Sequence, residues 1–169
     1  MKLALGLSCG SWHLLQQLKS CQHVDQIALT RGAASSLEDL PKDLLIGTAS
    51  EILSANWESG GLLLIIGSVG AATRLISSLI EAKEKDPAVL VIDSFGNYVV
   101  PLLGGHKSGA EDFAIEISRD LGGKAVITGD SFTQGRLAID SFGEAWGWLR
   151  SGNKDEWNQL MFAQARGEE

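Results

Sequence analysis

Leu62-Leu63-Leu64-Ile65-Ile66-Gly67-Ser68-Val69-Gly70 is the stretch on which the fold turns. Five consecutive aliphatic residues leave no polar face, so a strand built from them must be covered on both sides, as in a parallel sheet. Gly67 and Gly70 break the run. Apolar residues then recur at Ala72, Leu75, Ile76, Leu79 and Ile80. Spacings of three and four put them on one stripe of a helix. A buried strand, a glycine turn and an amphipathic helix, in that order, are the unit of an α/β fold.

Working outward, Pro87 bars that helix from continuing. Residues 88–93 and 98–103 read as two strands joined by Ser94-Phe95-Gly96-Asn97, a hairpin signal in which glycine and asparagine supply positive φ. A glycine-rich loop follows, Gly104-Gly105-His106-Lys107-Ser108-Gly109. Next comes a helix with Ala110, Phe113, Ala114, Ile117 and Leu121 at core spacing, closed by Gly122-Gly123 as a C-cap. Residues 124–128 form a further strand. On the other side, residues 3–7 and 24–29 read as strands around a helix capped by Ser11 that carries Leu14, Leu15 and Leu18. Residues 31–42, polar and punctuated by Gly32 and Pro41, read as loop, and residues 48–57 as helix. The expectation is a layered α/β fold: a mostly parallel sheet with one β-hairpin and helices on both faces. That domain spans residues 1–140. Three of the five tryptophans lie in residues 141–169, read as a Trp-rich tail with a short helix over 155–165 and a linker-like end from Ala163. The plain role is a helix packed on the sheet; tryptophan also anchors docking surfaces.

Composition narrows the function. The 169 residues are 44% hydrophobic and 21% charged, the profile of an ordinary folded domain. A net charge of −7 argues against nonspecific nucleic-acid binding, which needs clustered phosphate neutralisation. It leaves room for an anionic small molecule at a local basic patch. Cys9 and Cys21 have neither disulfide nor metal-ligand spacing and read as reduced thiols of a cytoplasmic protein. The apolar start is too short for a signal h-region, and no segment has the length and apolarity to span a membrane.

Two loops are candidates for chemistry. Gly67 and Gly70 lie between a buried strand and a helix, where free N–H groups and the helix dipole favour an anion. Arg74, one turn on, can offer a fork to a carboxylate. The bland alternative is a tight turn. The loop of Gly104, Gly105, His106, Lys107, Ser108 and Gly109 combines bendable backbone with an imidazole able to act as general base near neutral pH. Its amides from Gly105 to Gly109 can stabilise an oxyanion; its alternative is a turn whose histidine bonds a carbonyl. His13 and His23 are expected to face solvent. Asp93, at a strand end, is placed to orient a histidine; Asp86 reads equally as a turn former. Glu111 and Asp112 fit the first turn of a helix. Thr128 leaves another strand end, where ligands gather in α/β sheets. No catalytic Ser-His-Asp motif and no metal cluster are read from the sequence. A nucleotide-binding α/β domain is a weaker reading, since the third glycine of a dinucleotide fingerprint and a Walker lysine are absent.

The stretch from Ile66 to Asp130, about two fifths of the chain, resembles the N-terminal domain of the CbiG family, the cobalt-precorrin-5A hydrolases of cobalamin biosynthesis. The pieces that carry the resemblance are Gly67-Ser68-Val69-Gly70-Ala71-Ala72-Thr73-Arg74, Lys83-Glu84-Lys85-Asp86-Pro87-Ala88-Val89, Val100-Pro101-Leu102-Leu103-Gly104-Gly105-His106 and Val126-Ile127-Thr128. The resemblance implies hydrolytic opening of the δ-lactone of a cobalt tetrapyrrole with release of acetaldehyde. Cobalt is then carried by the substrate, and the protein needs no cofactor of its own. With that reaction, the residue reading takes His106 as base or lactone-polarising group and Asp93, at its strand end, as its catalytic companion. The loops and strand ends already read suit such a carboxylate-rich substrate, with Gly67, Gly70, Arg74, Lys83, Gly104, Gly105, Lys107, Ser108, Gly109 and Thr128 as expected contacts. A further cobalamin-biosynthesis domain or a methyltransferase is the expected partner. After the histidine region the family shows Gly-Gly-Ala-Asn; here Ser108-Gly109-Ala110-Glu111 stands in its place. A second reading is a non-catalytic module that binds the corrinoid intermediate, with His106 as an axial cobalt ligand.

Overall fold

In the computed structural model, which describes residues 1–104, 108–128, 148 and 151–166, the aliphatic run is the central strand of a seven-stranded sheet. The strands are β1 (Lys2–Gly6), β2 (Gln26–Thr30), β3 (Leu45–Gly47), β4 (Leu62–Ile66), β5 (Ala88–Ile92), β6 (Tyr98–Leu103) and β7 (Lys124–Ala125), in the order β3-β2-β1-β4-β5-β6-β7. The first five are mutually parallel. The hairpin reverses direction, so β6 is antiparallel to β5, and β7 runs parallel to β6. The fold is α/β, as the strand–turn–helix unit requires. All of it lies in a first unit, Met1–Ile127; a second comprises Thr128–Glu169.

Alternation along the strands builds two cores. Leu62, Leu64 and Ile66 face one way with Ala88, Leu90 and Ile92, under α1 (Trp12–Ser20), α2 (Arg31–Ala34) and α5 (Ala110–Leu121). Leu63 and Ile65 face the other way with Leu3, Leu5, Val89 and Val91, under α3 (Ala49–Ala55) and α4 (Val69–Ile76). Every residue of β4 is buried. Each such side chain contributes roughly 1.5–3 kcal/mol relative to exposure. Helices on both faces explain why the run needs no polar side.

Several boundaries differ from expectation, each for a physical reason. Residues 31–34, read as loop, form the short helix α2, capped by Thr30, whose hydroxyl oxygen accepts the Ala33 N–H. The three-residue edge strand β3 was not expected; it is held by register with β2 rather than by a pattern of its own. Ser11 does not cap α1: its hydroxyl donates to the Ser8 carbonyl. The helix after Gly70 stops at Ile76, and residues 77–79 form a turn closed by Leu79 N–H to Ile76 O. Ser77 and Ser78 hold a helix poorly. The strand expected over 124–128 is in register with β6 at Lys124 and Ala125, and the Val126 N–H to Val99 O bond (2.9 Å) follows. The next bond of this parallel pattern would need an N–H from residue 101, which is Pro101 and has none.

In the second unit α6 (Lys154–Arg166) extends beyond the helix expected over 155–165. The end read as a linker is helical as far as Arg166. The Asn153 side chain accepts the Glu156 N–H at its start, and Arg166 sits in the last turn, where the dipole favours a cation. The other tryptophan-rich residues, 142–147, lie outside the described residues. Among the described residues no helix is long and apolar enough to cross a membrane.

Candidate functional site

The strand order reverses between β1 and β4, the topological switch point at which the carboxyl ends of parallel strands open a crevice in such folds. The 67–70 turn leaves β4 there. Gly67 N–H is tied to Ile92 O at the end of β5 (2.9 Å). The Ser68 hydroxyl oxygen caps α4 by accepting the Ala71 N–H (3.2 Å), so Gly70 falls within the first helical turn. Leu7 packs over Gly67: a Cβ there would meet Leu7 Cδ1 at 2.8 Å, so the leucine side chain would have to shift. Arg74 is exposed and folds back along the helix, donating to the Gly70 carbonyl (2.9 Å).

The neighbouring loop, residues 7–11, was not singled out from sequence. It follows β1 as the 67–70 turn follows β4, and leaves Ser8, Cys9 and Gly10 exposed. A Cβ on Gly6 would meet Ser11 Oγ at 2.2 Å. The signal was available: a glycine closing an apolar run, small polar residues, then a helix. Cys9 and Cys21 are both free and exposed.

Asp93 follows β5 at this same end. Its carboxylate accepts N–H bonds from Tyr98 (2.7 Å), Phe95 (3.3 Å) and the Asn97 amide (3.2 Å). These bonds clamp the hairpin, whose Gly96 takes φ +74.

The second loop lies at the other end of the sheet. Because β6 is antiparallel, Leu103 pairs with Val89, and Gly104 meets the start of β5. Gly104 has φ +80, and a Cβ there would sit 2.9 Å from both Ala88 Cα and Ser108 Cβ. No other residue fits that turn without moving the backbone. The Gly104 carbonyl accepts N–H bonds from Ser108 (3.0 Å) and Ala110 (3.3 Å). Ser108 N–H is therefore committed to the turn and does not serve as an oxyanion donor. Gly109, at φ +71, opens α5, and Glu111 is buried in its first turn. Gly105, His106 and Lys107 lie outside the described residues.

Lys83 is exposed in the segment that leads into β5. Asp86, in the same segment, is buried; its Oδ1 accepts N–H bonds from Trp57 Nε1 (3.3 Å) and the Glu81 backbone (3.0 Å). The two sequence motifs thus meet: Ala88 of the first packs against Gly104 of the second. The expected site residues fall into two groups, Gly67, Gly70, Arg74 and Asp93 at one end, and Lys83, Gly104, Ser108 and Gly109 at the other. The length of β5 separates them, about 16 Å at roughly 3.3 Å per residue. Asp93 is not brought to Gly104. Thr128, exposed, is the first residue of the second unit.

His13 is exposed as expected, but His23 is buried, with Nε2 3.1 Å from Asp120 Oδ2 on α5. Nothing within the sequence around His23 announces this contact, which comes from a helix almost a hundred residues on. Glu51 has its pKa lowered, first by the Thr48 N–H, then by the Thr48 hydroxyl and Arg31. Thr48 and Glu51 form the capping box of α3. Among the described residues no cluster of three or more His, Cys, Asp or Glu could hold a metal ion.

Comparison with known proteins follows this geometry. Residues 51–131 match the family model for the cobalamin synthesis G N-terminal domain. Over 103 residues the chain is 38% identical to the cobalt-precorrin-5A hydrolase of Priestia megaterium, covering 61% of this chain and 28% of that protein. Over 79 residues it is 38% identical to the cobalt-precorrin-5A hydrolase of Salmonella typhimurium, covering 47% and 22% respectively. These alignments span about a quarter of each relative's length. A crystal structure described as a cobalamin biosynthesis protein G homologue from Sulfolobus solfataricus superposes with a TM-score of 0.54 at 22% identity. It covers 98% of this chain and 46% of that one, a likeness of fold.

Proposed function

We propose, from the match of residues 51–131 to the CbiG N-terminal family model, that this chain acts in cobalamin biosynthesis on cobalt-precorrin-5A, opening its δ-lactone with release of acetaldehyde. The observation that carries the reading is the packing of the Gly104 turn on Ala88, which joins the two family motifs at one end of the sheet. The loop that follows Gly104 in sequence holds the one histidine in a glycine-rich setting. Water adds to the lactone carbonyl, with His106 taking its proton or polarising the lactone. The lactone C–O bond breaks; the freed oxygen then forms the aldehyde C=O as it loses its proton, the C–C bond joining that carbon to the macrocycle breaks with its electron pair passing to the macrocycle, and the two-carbon unit departs as acetaldehyde. Lys83, Lys107 and Ser108 meet substrate carboxylates; Gly104 and Gly109 shape the turn. The cobalt belongs to the substrate. Asp93, committed to the hairpin, has no step in this scheme. The protein works in the cytoplasm, beside a further cobalamin-biosynthesis domain or methyltransferase.

The partial span of the relatives supports a second reading. In it the chain binds the corrinoid intermediate without turning it over, and other parts of the relatives carry the activity. Incubation of the purified chain with cobalt-precorrin-5A decides between them. The hydrolase reading expects acetaldehyde; a corrinoid spectral shift with no acetaldehyde supports the binding module.

A further inference from the structure

We infer that Asp86 is a positioning residue for the Gly104 turn, to which Ser108 and Ala110 are tied, acting through Pro87 and Ala88 and braced by Trp57. The inference rests on the reading that this loop is the reactive one. Three features carry it.

First, Asp86 is a buried carboxylate, 6% exposed, at a place where burial would otherwise be costly. Its Oδ1 collects two donors from different segments, the Trp57 indole N–H and the Glu81 backbone N–H. Its own N–H donates to the Ala82 carbonyl (3.0 Å), so the turn over residues 81–86 is closed from within.

Second, the segment containing Trp57 is fastened to the same turn at two further points. Ser59 Oγ donates to the Glu84 carbonyl (3.3 Å), and the Ala88 N–H donates to the Gly61 carbonyl (2.9 Å). Residues 57–61 and 81–88 are thus laced together on both sides of Asp86.

Third, Asp86 stands two residues before Ala88, with a proline of fixed φ between. A Cβ on Gly104 would come within 2.9 Å of Ala88 Cα, the closeness of backbone against backbone. A displacement at Asp86 therefore passes through a stiff link to the turn. From that turn the Gly104 carbonyl ties Ser108 and Ala110. Misplacement of reacting groups by about 1 Å can cost on the order of a hundredfold in rate.

The test uses the full chain and three variants, Asp86→Ala, Asp86→Asn and Trp57→Phe. Asn keeps an acceptor oxygen for both donors, Ala removes it, and Phe removes the indole donor alone. Amide hydrogen exchange is read in peptides covering residues 103–110 and, as reference, β1 and β4. Asp86→Ala is expected to speed exchange in 103–110 at least fivefold, with the reference strands unchanged. Asp86→Asn should match the parent. Trp57→Phe should speed the same peptide about twofold, and it decides the matter if Asp86→Ala does not fold. For acetaldehyde release the expectation is a ten- to hundredfold fall in kcat for Asp86→Ala, little change in KM, and recovery in Asp86→Asn. Unchanged exchange in 103–110, or an equal rise in all segments, overturns the positioning role. If the parent chain releases no acetaldehyde, the hydrolase reading fails by itself, and the exchange data still decide the role of Asp86.

Discussion

The 67–70 turn and the 104–109 loop look alike in sequence: each follows an apolar strand, holds glycines and opens a helix. In the folded chain they differ in place and in what their glycines do. The first lies at the carboxyl ends of the parallel strands, with Gly70 already helical. The second lies at the opposite end, with Gly104 in a left-handed conformation against a neighbouring backbone. The two loops offered as contacts for one substrate are therefore not neighbours. The segment adjacent to the Gly104 loop is the lysine-rich one before β5. The lesson is topological: a single antiparallel strand sends the chain back, and loops close in sequence part company.

The comparison predicts unequal responses to the same small change. Gly104→Ala should destabilise the fold by about 3 kcal/mol or more, through a disfavoured φ and a backbone clash. Urea denaturation would reveal it. Asp93→Ala removes the acceptor of three hairpin bonds and should cost about 2 kcal/mol. It should leave acetaldehyde release per folded molecule unchanged; a lost rate at intact stability would restore Asp93 to the chemistry. Gly70→Ala, in contrast with Gly104→Ala, should be neutral or stabilising by up to about 1 kcal/mol. Its new Cβ meets only the movable end of Arg74 (3.3 Å).

The smallest effect concerns the α3 capping box, which follows β3 at the same end as the 67–70 turn. The folded pKa of Glu51 is lowered by the Thr48 N–H, the Thr48 hydroxyl and Arg31. Its contribution is present above the ordinary glutamate range and is lost as pH falls through the lowered folded value. Glu51→Gln should remove that acid-side loss. Melting temperature against pH should fall slightly less steeply than in the parent.

Sequence reasoning succeeded where local pattern and tertiary fate agree. Residues 62–66 and 98–103 were read with their observed ends, because an unbroken aliphatic run and a hairpin signal need no distant partner to be recognised. The same holds for the glycine that ends α5 at φ +70. It failed where the deciding contact comes from afar. β3 exists because β2 offers an edge, and buried His23 meets Asp120 of the distant α5. The candidate site was half legible. Residue types and the two motifs could be read, but not which end of the sheet each reaches, since that depends on strand direction rather than on neighbouring residues. Asp93 illustrates this: its position at a strand end was correct, and its distance from Gly104 follows only from β6 turning back.

The central claim is that the reactive end is the one at Gly104. It is tested most directly by acetaldehyde release from cobalt-precorrin-5A in His106→Ala and Ser68→Ala, each measured beside its melting temperature. The account predicts that His106→Ala loses at least a hundredfold in rate with its melting temperature kept, while Ser68→Ala keeps its rate per folded molecule. Full activity in His106→Ala, with activity lost in a folded Ser68→Ala, would contradict it and move the chemistry to the switch point.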